Sequence, residues 1–564
     1  MEFYFTMARN AMFTFEDQPL PTRQASPVSA PAVQTKKHID AGYLRKAKVP
    51  YVDNQRALIE SDHPVTAGIA LAGTGKTSTA VGYTDARPHL RTLYLAFNTE
   101  NAAEGRQRFG RHVTARTPHS IAFSMLSQEQ RARVTHRWNA MTVRNALSMR
   151  NYRAAATVCA IINDFCVSDD EHFDSLRHGY SAIERLGVDH SLVERCMGMA
   201  QSLWQMMWQE GSAVPISHDA YFKRFVMKRP NLGVDLLIFD EAQDANAVTA
   251  QLVRTQAQEH GTRVLYLGDE HQSIYAFRGA VNAMRNLPES VVRYPLTQSW
   301  RFGPRTATLA NLVLSQLKNE TLELQGMGSD KKWDPSKPYA YLARTNAELI
   351  AQAVAAQGEG IYWVGGIERY RVDMLLDVWR LANHLHHQIQ DKFISNNFNS
   401  WDDYEQVAMI SADPEMRIMV KLIEDYEDDI PEIVDQLKDK AERQSKDSQL
   451  ILTTAHRAKG LEFDQVQVGE DFKACEDAEL WLSEKHHDAP YPEQEVNLLY
   501  VALTRAKSYV KSGSDMAAWY RNLQTHLENR VSKYDPSQAP GVGYPDKSGQ
   551  QSNKTNNGIP APTF

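Results

Sequence analysis

Cysteine is nearly absent from this chain. Four thiols, Cys159, Cys166, Cys196 and Cys475, are scattered through 564 residues, and no two form a C-x-x-C pair. Zinc ribbons and cysteine-held iron–sulfur clusters therefore find no support. Histidines do not replace them: His384, His386, His387, His486 and His487 lack a companion ligand set. Long apolar runs are missing too, since charged residues interrupt every stretch before the ~20 residues that a bilayer requires. Near the N-terminus Glu2, Arg9 and Glu16 break up Phe3, Tyr4, Phe5, Met12 and Phe13, leaving no signal-peptide core. An intracellular protein without a membrane partner is expected, in cytoplasm or nucleoid, with the nucleus also open. Nor is there an excess of positive charge. The net charge is −7, so a nucleic-acid partner would have to be held by a locally basic channel.

What is present is ordinary for a globular protein, with 42% hydrophobic and 23% charged residues over a length that allows several domains. Residues 1–41 are rich in Pro, Ala, Ser, Thr and Gln and read as a flexible tail. Residues 531–564 read the same way, dominated by Pro, Gly, Ser, Asn and Gln. Protein partners recruited by these tails stay unassigned.

The stretch around Lys76 organises the rest. Val65 to Leu71 is an apolar run with the look of a buried strand, and the small residues Ala72, Gly73, Thr74 and Gly75 then force a tight turn into a helix opened by Lys76, Thr77 and Ser78. Backbone N–H groups of such a turn wrap phosphates, and the helix N-terminus adds positive dipole. Lys76 would reach the β- and γ-phosphates of ATP, and the Thr77 hydroxyl would bind Mg²⁺. Ala70 stands where the G-x-x-x-x-G-K-[ST] pattern has its first glycine.

A β-α-β-α rhythm surrounds this turn and predicts a parallel sheet with helices on both faces. Ligands of such sheets sit at the carboxyl ends of strands, where Phe97 and Asn98 fall after Thr92–Ala96 and where His119 follows Val113–Ala115. Gln55, in a probable helix ahead of the turn, carries an amide able to pair with both edges of adenine. From Ser120 to Pro230 strand signals vanish and helical periods take over. Near the end of that stretch Tyr221, Phe222, Lys223, Arg224, Phe225, Lys228 and Arg229 interleave bases with aromatics, which suits single-stranded nucleic acid or a solvated amphipathic helix equally. Val234–Phe239 is a further strand, closed by Asp240 and Glu241. Paired with a phosphate loop, Asp240 would hold the metal and Glu241 would polarise the attacking water.

The segment from Val264 through Glu270-His271-Gln272-Ser273-Ile274-Tyr275-Ala276-Phe277-Arg278 closely resembles motif III of the UvrD/Rep-type helicases of superfamily 1. The resemblance implies a γ-phosphate sensor at Gln272 and DNA contacts at Tyr275, Phe277 and Arg278, with phenylalanine where the family usually has tryptophan. Further signatures follow in family order. Leu296-Thr297-Gln298-Ser299-Trp300-Arg301 resembles motif IV, implying an arginine finger at Arg301 and an adenine-stacking Trp300. Tyr341–Asn346 and Val364-Gly365-Gly366 resemble the start of the second motor domain. Thr454–Asp464 resembles motif V, implying DNA contact at His456 and nucleotide contact at Glu462. Asn497–Lys507 resembles motif VI, with Arg505 as second finger. By the same resemblance Gln55 becomes the adenine reader, while Phe97, Asn98 and His119 face DNA, although Thr99 replaces the usual lysine. The wording is nearest to the F-box DNA helicase branch. No F-box is recognised in the N-terminal tail, so a ubiquitin-ligase partnership is not expected.

The expected fold is α/β, with two RecA-like P-loop lobes and helical insertions. Residues 42–119 and 231–299 would form lobe 1A, 120–230 a helical insertion 1B, 300–385 and 447–530 lobe 2A, and 386–446 a reduced acidic helical insertion 2B with a solvated face. The resemblance implies ATP-driven 3′→5′ travel on single-stranded DNA and at single-strand/duplex junctions, in repair, recombination or replication. The alternative is a translocase that strips proteins from DNA with little strand separation.

Overall fold

The computed structural model describes residues 42–47, 50–136, 138–276, 279–356, 360–411, 414–441, 448–472 and 493–511. Both predicted tails, Phe277, Arg278, Cys475, His486 and His487 lie outside the described residues. The strands in chain order are β1 (Val65–Ala70), β2 (Thr92–Leu95), β3 (Val113–Arg116), β4 (Val134–Thr135), β5 (Ile216–Ser217), β6 (Leu236–Phe239), β7 (Arg263–Gly268), β8 (Val292–Leu296), β9 (Gln298–Ser299), β10 (Gln325–Gly326), β11 (Tyr339–Ala343), β12 (Ile361–Trp363), β13 (Leu450–Thr454), β14 (Phe463–Val468) and β15 (Ala506–Lys511). Two sheets dominate. One has six strands in the order β3-β2-β6-β7-β1-β8, the other five in the order β12-β13-β11-β14-β15.

Every pairing in both sheets is parallel. Parallel strands need crossover connections, which place helices on the faces and bury the strands from both sides. That is why β6 reads Leu-Leu-Ile-Phe without a polar alternation, and all four residues are buried. The register then decides what meets at the sheet edge. Ala70 pairs with Leu296, Ile69 with Gly268, and Phe239 with Tyr266. The turns after β1, β6, β7 and β8 therefore leave the first sheet at neighbouring points on its carboxyl edge, where ligands of open parallel sheets are held. In the second sheet Phe463 pairs with Ala506, which sets Glu462 and Arg505 side by side at the amino ends of β14 and β15.

The first sheet shares one apolar core with the helical stretch that follows it. Val158, Ile161, Phe165, Leu203 and Met207 join Leu237, Phe239 and Val264 in a single cluster, and the free thiols Cys159, Cys166 and Cys196 are buried within it. Burial pushes the Cys159 thiol up to about 11 and raises the other two. The stretch is mostly helical, but β4 and β5 pair within it; each is two residues long, too short for a period-2 pattern to show. The helix His218–Met227 corrects one expectation. Its aromatics Tyr221, Phe222 and Phe225 are core residues, and Lys223 is fully buried with Nζ donating to the Ser168 and Asp170 carbonyls. Arg224 is half-buried, and Lys228 and Arg229, just past the helix end, are exposed. The interleaved bases and aromatics are an amphipathic helix turned inward, not a strip for nucleic acid.

Among the described residues of 386–446, the helices Trp401–Ser411, Pro414–Tyr426 and Ile430–Ala441 bury Tyr404, Met419, Ile430 and Val434 in one cluster with Tyr341, Trp363 and Leu452 of the second sheet. Glu424, Asp425, Glu427, Asp428 and Asp429 remain exposed. A third cluster brings Leu71, Ala72 and Ile274 from the first sheet's turns together with Phe302, Ala455, Tyr500 and Val501. The turn after β1 is thus packed against residues that belong with the second sheet. Among the described residues no helix is long and apolar enough to cross a membrane.

Candidate active site

The turn after β1 is built as the small residues demand. Gly73 has φ 73° and Gly75 has φ 81°, and Gly75 caps the helix Lys76–Asp85. A side chain is unwelcome in that left-handed region. At Gly73 there is also no room: a Cβ would lie 2.4 Å from Ser299 Oγ and 2.8 Å from Arg301 Cβ. The Trp300 N–H donates to the Gly73 carbonyl at 3.1 Å, so the turns after β1 and β8 are stitched together. Ala70 needs no glycine's freedom, because it is the last residue of β1 and is paired with Leu296.

Opposite this turn stand the acids that close β6. Asp240 accepts from Tyr94 OH at 2.6 Å and from the Glu241 N–H at 2.9 Å. Glu241 adopts φ 52°, a left-handed conformation that a non-glycine residue holds only where its surroundings enforce it. Its carboxylate lies 3.2 Å from Lys76 Nζ and accepts from Gln243 Nε2 at 2.5 Å. Burial acts on each of these groups, and the outcomes diverge. Burial raises the Asp240 carboxyl, with the neighbouring Glu241 charge adding to it. Burial would raise Glu241 as well, but Lys76 and Lys459 outweigh it and hold this carboxyl below the usual range. Burial pulls the Lys76 ammonium down, and Glu241, Asp240 and Asp269 more than restore it. One carboxylate is thus kept anionic by the lysine while its neighbour is kept basic.

The turn after β7 contributes Gln272, whose Nε2 donates to Asp269 Oδ2 at 2.6 Å. Its Oε1 accepts from Arg505 Nη2 at 3.2 Å. Arg505 is buried and also donates from Nε to the Val501 carbonyl at 3.0 Å. Burial and the proximity of Arg301 pull its guanidinium down to about 9. Arg301 donates to Glu462 Oε1 at 2.8 Å and to the Thr504 carbonyl at 2.9 Å. Lys76, Thr77, Asp240, Glu241, Gln272, Trp300, Arg301, Glu462 and Arg505 all line one cavity of about 460 Å³, within the ~300–1,000 Å³ usual for small-molecule sites.

The donor set of this cavity fits a small hard cation. Thr77 offers a hydroxyl and Asp240 a carboxylate to the same cavity, and Mg²⁺ is commonly held by one or two such oxygens plus the phosphates of its substrate. These two residues would hold it, and a bound Mg²⁺ would supply Lewis-acid polarisation of the phosphoryl oxygens. A dication there favours the ionised form of Asp240, whose pKa burial otherwise raises.

The remaining sequence-predicted residues divide. Gln55 is buried, its amide taken up by the Val52 N–H and the Thr74 carbonyl, and it lines a second cavity of about 350 Å³ beside the turn with Asn54, Thr297 and Gln298. Phe97 is exposed and stacks on Tyr275, with centroids 5.9 Å apart and planes 11° from parallel, at the rim of the main cavity. Asn98 caps the helix Thr99–Arg108 by accepting from the Asn101 N–H at 2.7 Å. His119 turns to the helical insertion, 3.3 Å from Asp219 Oδ1 and tilted against Phe222. His456 meets the pair through its carbonyl, which accepts from Tyr275 OH at 3.3 Å.

Four site residues escape a reading of roles from sequence. Tyr94 holds Asp240. Lys459 donates to the Asp244 carboxylate and the Gln272 carbonyl and lies 5.1 Å from the Tyr275 ring centroid. Asp269 takes the Gln272 amide, and Tyr500 reaches the turn after β1. The partners of Tyr94, Lys459 and Tyr500 are far away in the chain, so local pattern carries no signal of the contact, whereas Asp269 meets Gln272 three residues on; only their place inside the motif segments could have drawn attention to Lys459, Asp269 and Tyr500.

Two parallel sheets that present their turns to one shared cavity, one of them through a phosphate-type loop, define a two-lobed RecA-like P-loop protein. Comparison with known proteins narrows the class. Residues 54–278 match the AAA domain family and residues 382–510 the UvrD-like helicase C-terminal domain. The chain is 28% identical over 535 residues to F-box DNA helicase 1 of Gallus gallus, covering 88% of this chain and 52% of that protein. It is 30% identical over 486 residues to F-box DNA helicase protein 1 of Schizosaccharomyces pombe, covering 78% and 54%. A probable DNA helicase of Mycoplasma pneumoniae is 26% identical over 284 residues, covering 49% and 43%. The chain spans about half the length of the curated relatives it matches. The two matched domains and these relatives together support a UvrD-like helicase of superfamily 1.

Proposed function

We propose that this chain is an ATP-dependent motor that moves 3′→5′ along single-stranded DNA and unwinds duplex at single-strand/duplex junctions. One observation carries the reading: Lys76, Asp240, Glu241 and Gln272 from the first sheet's edge and Arg301 and Arg505 beside the second line the same cavity. In this reading Lys76 and the backbone of the turn hold the phosphates, and Glu241 polarises the attacking water. Arg301 and Arg505 neutralise charge on the transferring phosphoryl group, a contribution of about 10³–10⁵ in rate where such fingers have been measured. Gln272 reports the γ-phosphate, Trp300 faces the base, Gln55 meets the base edge from the adjoining cavity, and Phe97 and Tyr275 offer the outer faces of their stacked pair to DNA, worth ~1–3 kcal/mol per base. The relatives' printed names support DNA as the substrate, and such a substrate implies an intracellular, DNA-bearing compartment with repair, recombination or replication as the setting. A second reading, a translocase that strips bound proteins with little strand separation, is favoured by the 386–446 helices, which share the second sheet's core.

ATPase assays with and without single-stranded DNA, followed by unwinding of 3′- and 5′-tailed duplexes, test the proposal. Stimulation by DNA and preference for the 3′ tail are expected, and Lys76→Ala should abolish hydrolysis while DNA binding stays measurable. Normal turnover by that variant would refute the assignment of the loop. Translocation without strand displacement would select the second reading.

A further inference from the structure

Tyr500 is the residue that the described chemistry does not use and that the geometry singles out. It lies in the helix Glu493–Leu503 and is fully buried among residues that pack with the second sheet. Its hydroxyl nevertheless serves the first sheet. It accepts from the Ala72 N–H at 2.9 Å, inside the phosphate turn, and lies 3.3 Å from Asp269 Oδ2 as donor. That same Asp269 oxygen accepts from Gln272 Nε2 at 2.6 Å, and Gln272 Oε1 accepts from Arg505 Nη2 at 3.2 Å. The result is a continuous chain of hydrogen bonds from the turn's backbone through a phenol, a carboxylate and an amide to a guanidinium five residues beyond Tyr500. Burial, followed by the Asp269 charge, holds the phenol protonated well above its ordinary range. Tyr500 is thus a fixed donor to Asp269 and a fixed acceptor for Ala72.

We propose that Tyr500 is a positioning residue that sets Gln272 and Arg505 in register with the phosphate turn, so that the two sides of the cavity act on one phosphoryl group. The physical reason is orientation. An amide can present either its oxygen or its nitrogen to a partner. Asp269, charged and already oriented by the phenol, requires the nitrogen of Gln272, which leaves the oxygen for Arg505. Without the hydroxyl, Asp269 keeps the His271 N–H at 3.1 Å on Oδ1 but loses the donor that shares Oδ2 with Gln272, and the Ala72 N–H loses a buried acceptor. Substrate binding depends chiefly on the turn's other N–H groups and Lys76, so the loss falls on the reacting geometry, where small misplacements act strongly on rate.

This inference rests on the ATPase reading above, and Tyr500→Phe tests it because only the hydroxyl is removed. The expected result is a fall in DNA-stimulated kcat of roughly tenfold or more with KM for ATP changed by less than about twofold, the split that marks loss of an interaction made in the transition state. Gln272→Ala and the double variant complete a cycle. If the residues work as one chain, the double variant is no slower than the slower single one. Unchanged kcat in Tyr500→Phe overturns the inference, and so does a kcat loss that multiplies fully with that of Gln272→Ala, since both mean that the hydroxyl acts apart from the sensor. A thermal melt of Tyr500→Phe that matches the parent assigns any kcat loss to positioning, whereas a melt lowered in step with the loss assigns it to unfolding and also overturns it. Failure of the motor reading shows separately, as absence of ATPase activity in the unsubstituted chain.

Discussion

Lys459→Met should be far more disruptive than one lost surface lysine. The ammonium lies in the segment after the helix Ala455–Ala458 and pairs with Asp244, and the two side chains are only 9% and 1% exposed. Burial, opposed by Lys459, leaves the Asp244 carboxyl raised to about 6. Removing one partner of a buried pair typically costs ~3–5 kcal/mol, because the other charge is stranded in a poor solvent. Glu241 adds to the cost as a nearby like charge. Asp244 can escape by taking up a proton, which places the expected loss near the lower end, about 3 kcal/mol at pH 8. The pH dependence has a definite sign. An acid whose folded pKa exceeds its unfolded value contributes stability at low pH that is lost as pH rises through the folded value. The substitution raises the folded value further, so the deficit against the parent should be small near pH 5 and grow toward pH 8. Urea unfolding of both proteins at those two pH values measures it, and Lys459→Met combined with Asp244→Leu should recover most of the loss. A deficit below ~1 kcal/mol at pH 8, or one that does not grow with pH, would refute the claim that this pair is electrostatically isolated from water.

Two further outcomes follow from buried groups. Burial lowers the Lys223 ammonium to about 8, so between about pH 8 and pH 10.5 the unfolded chain binds more protons and stability rises with pH; Lys223→Met should flatten that rise in urea unfolding near pH 8 and near pH 10. Gly73→Ala puts a methyl group at φ 73° and 2.4 Å from Ser299 Oγ, so ATP turnover should fall at least about tenfold, equivalent to ~1.4 kcal/mol, while the melting temperature changes little; full activity would show that the turn tolerates displacement from β8.

The architecture was legible where burial writes directly into the sequence. Leu236–Phe239 has no polar alternation because both faces of β6 are covered, and the glycines at 73 and 75 stand where φ turns positive. Of the residues gathered on the cavity, the phosphate loop and the acids Asp240 and Glu241 were legible for a related reason, since they must sit at strand ends and strand ends can be found; Gln272, Trp300, Arg301, Glu462 and Arg505 were legible only through the resemblance to the helicase motifs. The helix His218–Met227 shows where such reading stops. Its bases and aromatics suit a nucleic-acid strip and a solvated amphipathic helix equally, and what turns the helix inward lies in the Ser168 and Asp170 carbonyls, which await Lys223 from more than fifty residues away. Tyr500 and Lys459 are harder still. Their partners Ala72 and Asp244 precede them by 428 and 215 positions, and no local period records such a contact.

The three thiols sealed into the helical insertion give the molecule an internal clock. Cys159, Cys166 and Cys196 are buried, and their surroundings disfavour the thiolate that alkylating reagents attack. Each event of labelling at these positions must therefore wait for that helical layer to part from the sheet beneath it. The labelling rate counts those openings one by one, and comparing it with and without nucleotide or DNA would tell whether the working cycle strains the insertion or leaves it at rest.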